Sequence, residues 1–100
     1  MNKRLYKDVV KWQRNTFPNG TAFSILQHLK KEIAELETAQ GIDEVKAELA
    51  DCFILLFGVV DRMYLNYDGM AAAIKSKLEI NKKRDWGAPD QDGVILHIKK

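Results

Sequence analysis

The chain has 100 residues, 16 basic and 14 acidic, giving a net charge of +2, and 46% of it is hydrophobic. That length holds one small domain, the charge is too balanced for nucleic-acid binding by bulk attraction, and the apolar content excludes a disordered chain. A single cysteine, Cys52, excludes an internal disulfide framework and a cysteine-rich zinc site.

Four helices and a tail are expected, all in one domain over 1–100, with the helices in about 3–84 and the tail in 85–100. The first helix covers Lys3–Thr16 with Leu5, Val9 and Trp12 on one stripe, and Phe17-Pro18-Asn19-Gly20 ends it. The second runs over about 22–38 behind Thr21 as N-cap, with Ala22, Leu26, Leu29, Ile33 and Leu36 as its inward stripe. Gln40-Gly41 breaks it. The third starts at Ile42 or Asp43 and continues to about 66, its stripe being Val45, Leu49, Cys52 or Phe53, Leu56, Val60 and Met63.

The third helix is apolar on its other faces from 52 to 60, which fits either a dimer interface or a central position in the monomer. Cys52 falls in this run and reads as a buried, inert thiol. The run is far short of the roughly 20 residues of a membrane span. The N-terminal stretch has no apolar core of signal-peptide length, so a cytoplasmic protein with no membrane partner is expected. A domain this small buries only about 60–65% of its unfolded surface, and self-association is an ordinary remedy.

Asp68-Gly69 reads as the next turn, and a fourth helix over about 70–84 places Ile74 and Leu78 inward. Loop chemistry follows from Asp85 to Gly93. Residues 94–98 are β-prone, and either pair as a small strand or drape over the helices.

The chemistry is concentrated in two acidic pairs. Glu32 and Glu35 on the second helix, and Glu48 and Asp51 on the third, stand at i, i+3 spacing, which puts each pair on one face about 4.5 Å apart along the axis. Alone, such a pair is usually a solvated face. The break at Gly41 folds the two helices into an antiparallel hairpin, however, where residues at equal height have numbers of nearly constant sum. Glu32 with Asp51, and Glu35 with Glu48, meet that condition, and both pairs flank the seam. Four carboxylates so close repel one another unless a cation neutralises them. All-oxygen donors suit Mg²⁺, with Mn²⁺ as substitute. No Glu has a His three residues later, which argues against a di-iron oxidase.

Lys77, Asn81 and Arg84, at spacings of 4 and 3, form a polar stripe beside Ile74 and Leu78. It is either a solvated helix end or the cationic side of a polyphosphate site. Trp12 fits purine stacking or an ordinary core position. His28 stands one turn before Glu32, where it lines a nucleoside pocket or simply the surface. Trp86 and His97 are further candidates to close over a site.

The run Glu32-Ile33-Ala34-Glu35, a 12-residue spacer, Glu48-Leu49-Ala50-Asp51 and the downstream Lys77, Asn81 and Arg84 resemble the MazG-like all-α nucleotide pyrophosphohydrolases over about 26–86. The tail from Arg84 to His97 is similar to the small phage and bacterial MazZ-like subgroup, which are dATP/dGTP pyrophosphohydrolases. The resemblance implies an all-α four-helix MazG-like bundle with a short irregular C-terminal tail, two or three Mg²⁺ ions, and dimers or tetramers. It also implies hydrolysis of a (d)NTP to the monophosphate and pyrophosphate. On charge grounds, Glu32, Glu35, Glu48 and Asp51 would hold the metal, Glu32 would orient or deprotonate water, and Lys77, Asn81 and Arg84 would hold the phosphates. The rival readings are a non-enzymatic helical interaction module built on the apolar third helix, and the same chemistry on dUTP, dCTP or damaged nucleotides.

Overall fold

A computed structural model describes residues 2–99. Four α-helices account for its regular structure: α1 (Lys3–Thr16), α2 (Ala22–Glu37), α3 (Ile42–Arg62) and α4 (Tyr67–Lys82). Contacts divide the chain into two compact units, which part after Met70. No described helix is long and apolar enough to cross a membrane.

The first unit contains α1, α2, α3 and the opening turn of α4. Asn2 caps α1 by accepting from the Leu5 amide at 2.9 Å. Thr21 caps α2 as expected, and Ser24 reciprocates: each side chain accepts from the other's backbone amide. Gly41 begins α3 with φ 81°, a conformation that side-chain-bearing residues rarely adopt. The α2–α3 hairpin is the dominant helix pair, and α1 packs against α3.

The inward stripes differ from those periodicity suggested. On α1 the buried face is Tyr6 and Gln13, flanked by Val9 and Val10, while Leu5 and Trp12 are exposed. On α2 it runs through Ile25, Leu29, Glu32 and Leu36, leaving Leu26 and Ile33 exposed. On α3 it runs through Val45, Glu48, Cys52, Leu55 and Gly58, leaving Leu49, Phe53, Leu56 and Met63 exposed. Both flanks of these helices are apolar, so periodicity had two stripes to choose from. It kept Leu29, Leu36, Val45, Cys52 and Val60, which do turn inward, and missed Glu32 and Glu48 because acids occupy those two positions of the inward face.

Polar joints lock α1 to α3. The Arg14 guanidinium donates to both oxygens of buried Asp61, at 2.7 and 2.6 Å. Gln13 Nε2 donates to the Ile54 carbonyl at 2.8 Å. A Cβ at Gly58 would stand 2.9 Å from the Gln13 carboxamide, so glycine is what allows this close approach. Tyr6 stacks edge-on against Phe57, with ring centres 5.3 Å apart.

α3 ends four residues earlier than expected. Tyr64 takes φ 59°, the Leu65 amide donates to the Val60 carbonyl, and the Tyr64 amide donates to the Asp61 carbonyl. This is a Schellman stop with tyrosine in the usual glycine position. Asn66 then caps α4 by accepting from the Gly69 amide at 2.7 Å. Asp68-Gly69 is therefore the first turn of α4 rather than a loop.

The second unit holds the rest of α4 and the tail. Helix geometry ends at Lys82, so Arg84 lies just beyond α4 instead of on it. Among the described residues the tail has no strand. Its one β-bridge joins Trp86 to His97, whose rings meet edge to face at 6.1 Å, and Trp86 Nε1 donates to the Asn81 carbonyl at 3.0 Å. Asp90 Oδ1 turns the loop by accepting from the Asp92 and Val94 amides.

Tyr64 is 95% exposed, so its left-handed backbone strain is offset by no packing. Tyr64→Gly is expected to raise stability by about 0.5–1 kcal/mol in urea titration. A lower midpoint would show that the tyrosine side chain stabilises the stop.

Candidate functional site

Helix packing brings three acids together. Glu32, Glu48 and Asp51 each present an oxygen, and these all lie within 4.8 Å of one another. The Glu32 side chain is 15% exposed, Glu48 is half-buried, and Asp51 is open. Glu35 stands outside this tight group. It is near enough to hold Glu32 down through a hydrogen bond and to push Glu48 up by charge repulsion. The level pairs expected for the hairpin, Glu32 with Asp51 and Glu35 with Glu48, stay close, and Glu32 also faces Glu48.

Electrostatics follow from the crowding. A hydrogen bond with Glu32, then burial, then the charge of Glu35 and Glu32 raise the Glu48 carboxyl from 4.5 to about 7. Burial pushes Glu32 up, but hydrogen bonds from Glu48, Glu35 and His28 outweigh it and hold Glu32 below its ordinary value. Glu32 Oε2 and Glu48 Oε2 are also buried without a hydrogen-bond partner. An orphaned buried acceptor costs about 1–3 kcal/mol, and two such oxygens in an all-carboxylate group are what a hard divalent cation fits.

Cys52 is buried as expected. Burial first, and then the charges of Glu32, Glu48 and Asp51, raise its thiol.

A cleft of about 690 Å³ opens from this cluster. Glu32 and Asp51 line one part of it, and so do His28, Trp12, Gln13 and Arg62. His28 Nε2 stands 3.1 Å from Glu32 Oε1. Trp12, half-exposed on the cleft wall, meets Phe17 edge-on at 5.6 Å. The two residues expected near a nucleoside therefore share a cleft with two of the expected metal ligands. The turn Phe17–Gly20 closes the wall, held by Arg62 Nη2 donating to the Phe17 carbonyl at 2.8 Å.

Lys77, Asn81 and Arg84 belong to the second unit. Arg84 Nη1 donates to Asn81 Oδ1 at 3.2 Å, while Lys77 is exposed on α4. Arg84 also lines a recess with Lys83, Asp85, His97 and Lys99. Gln13 and Arg62 did not emerge from the sequence. The available signal was a polar residue seven positions after Tyr6 on an apolar stripe, opposite a glycine inside an apolar run.

The raised Glu48 carboxyl sets a pH dependence. The folded chain binds a proton there that the unfolded chain releases above about 4.5, so stability falls as pH rises from about 4.5 to 7. The lowered Glu32 acts in the opposite sense, but only at more acidic pH. Without divalent cations, the melting temperature is expected to decline across that window and to stay flatter in Glu48→Gln. Parallel profiles for the two chains would refute the raised Glu48 carboxyl.

A family model described as dATP/dGTP pyrophosphohydrolase matches residues 5–100. A dATP/dGTP diphosphohydrolase of Salmonella phage PMBT28 is 36% identical over 87 residues, which are 87% of this chain but only 28% of that protein. The chain thus spans little more than a quarter of that relative's length. Among solved structures, the cyanophage S-2L MazG-like pyrophosphohydrolase, bound to dGDP and three catalytic Mn²⁺ ions per active site, superposes with a TM-score of 0.80. It is 27% identical, and the match covers 97% of this chain and 92% of that one. With these matches behind the carboxylate cleft and the four-helix architecture, the chain belongs to the dATP/dGTP pyrophosphohydrolase family.

Proposed function

We propose that this protein hydrolyses dATP and dGTP with Mg²⁺, or Mn²⁺ in its place, to the monophosphate and pyrophosphate. The observation that carries the reading is a single cleft joining an orphaned carboxylate cluster to an aromatic-walled recess. The match of a dATP/dGTP pyrophosphohydrolase family to 96% of the chain, residues 5–100, supports it. That match runs through both units, which supports treating 1–100 as one functional domain.

Glu32, Glu48 and Asp51, joined by Glu35, are the residues that would hold the cations. Bound there, a divalent cation supplies an activated water and polarises the α-phosphorus. Glu32 is assigned to orient that water or accept its proton, since His28 at 3.1 Å steadies its Oε1. Lys77, Asn81 and Arg84 are assigned to the phosphates, where cationic and amide donors neutralise charge on departing pyrophosphate. Trp12 and His28 are assigned to the nucleoside. A nucleotide-pool substrate is in keeping with a cytoplasmic protein.

Self-association belongs to the same reading. Among the described residues, Tyr6, Cys52 and Leu55 are the buried hydrophobics, while Leu26, Ile33, Leu49, Phe53 and Leu56 are exposed on α2 and α3. A stripe of that kind supports a dimer or tetramer formed through the hairpin.

Glu48→Ala is expected to abolish Mg²⁺-dependent pyrophosphate release from dATP while circular dichroism stays helical; normal turnover would sink the site. Arg84→Ala is expected to raise KM for the triphosphate about tenfold or more, in line with a lost charge-assisted contact. Phe53→Glu is expected to reduce the mass found by sedimentation to that of one chain, and an unchanged mass would move the interface elsewhere.

A further inference from the structure

Among the described residues, four buried side-chain atoms lack a hydrogen-bond partner: Glu32 Oε2, Glu48 Oε2, Gln13 Oε1 and Arg62 Nε. The proposed cations account for the first two. The others are one acceptor and one donor, on α1 and the last turn of α3, and both residues line the same cleft. Gln13 is 5% exposed. Native chains rarely retain such orphans without a use for them.

Their order along α3 is informative. Asp51 ends the carboxylate cluster. Gln13 meets α3 between Ile54 and Gly58, one to two turns farther along, and Arg62 follows a turn later. A nucleotide with its phosphates at the carboxylates would extend its base toward Gln13 and Arg62.

The Gln13 carboxamide cannot swap its ends. Nε2 is committed to the Ile54 carbonyl at 2.8 Å, and the group is wedged over Gly58. Oε1 is the carboxamide atom left without a partner. Arg62 Nη2 is likewise committed to the Phe17 carbonyl, which leaves Nε as its buried donor without a partner.

We propose that Gln13, together with Arg62, reads the hydrogen-bonding edge of the purine. This rests on the nucleotide reading above. Gln13 Oε1 accepts from the 6-amino group of adenine or the N1–H of guanine, and Arg62 Nε donates to adenine N1 or guanine O6. Guanine carries the pair in the opposite order, acceptor at position 6 and donor at position 1, so it meets the same two side chains only with its base turned over. The two protein atoms are sealed by their neighbours in the ligand-free chain, so the base reaches them by parting the cleft wall.

The test compares dATP with the triphosphate of 2′-deoxynebularine, a purine with no 6-amino group and hence no donor for Gln13. Wild type is expected to favour dATP in kcat/KM by about 10- to 100-fold. Gln13→Met should lose that preference. Gly58→Ala, whose Cβ displaces the carboxamide, should lose it as well. A purely structural role would slow both substrates in parallel. Equal handling of the two by wild type, or a preference retained in either folded variant, overturns the proposal. Affinities of dAMP and 2′-deoxynebularine monophosphate, read without metal from tryptophan fluorescence, separate the two layers of argument. If no triphosphate is hydrolysed yet dAMP binds more tightly, the enzymatic reading fails and the base reader stands; equal affinities remove the reader.

Discussion

Packing α2 against α3 forces Glu32 and Glu48 to face each other across the seam, and much else follows from that confrontation. Two half-enclosed carboxylates cannot both stay ionised at short range without a counter-charge. The crowding shows in the two carboxyls themselves, with Glu48 pushed up to about 7 and Glu32 held below its ordinary value. A well-packed pair of apolar residues at these positions would give a steadier hairpin. Stability has been given up at the one place where a divalent cation would restore it.

The walls of the cleft follow a second rule. α2 and α3 meet through apolar side chains with acids among them, whereas α1 and the turn after it are also tied to α3 by polar joints: Arg14 to Asp61, Gln13 to the Ile54 carbonyl, and Arg62 to the Phe17 carbonyl. Such joints are directional, and they fix the rotation of α1 about its own axis more sharply than a greasy contact does. That rotation decides which side chains of α1 reach the cleft. With Tyr6 and Gln13 turned inward, Trp12 stands on the cleft wall, half-exposed.

The acids were legible in the sequence because two i, i+3 pairs and one glycine break suffice to bring them to equal height. Their detailed grouping was not, since equal height says nothing of which side chains lean across the seam. The inward stripes were legible only in part, for a related reason. Hydrophobic periodicity ignores acids, yet Glu32 and Glu48 occupy inward positions on α2 and α3. The end of α3 was hidden because tyrosine fills a left-handed position that glycine or asparagine normally marks. Gln13 and Arg62 gained their significance only from what surrounds them, which no spacing rule encodes.

The unequal fastening of α1 has a kinetic side. The α2–α3 hairpin is the most extensive helix pair, and α1 adds a smaller contact surface to it. Local opening reaches the least fastened element first, so amide exchange in α1 should run ahead of exchange in the hairpin. The carboxylates sit on the slowly exchanging part and the aromatic wall on the faster one. A guest that lodges between them slows the second without reshaping the first, so occupancy of the cleft would be recorded as protection of the N-terminal helix.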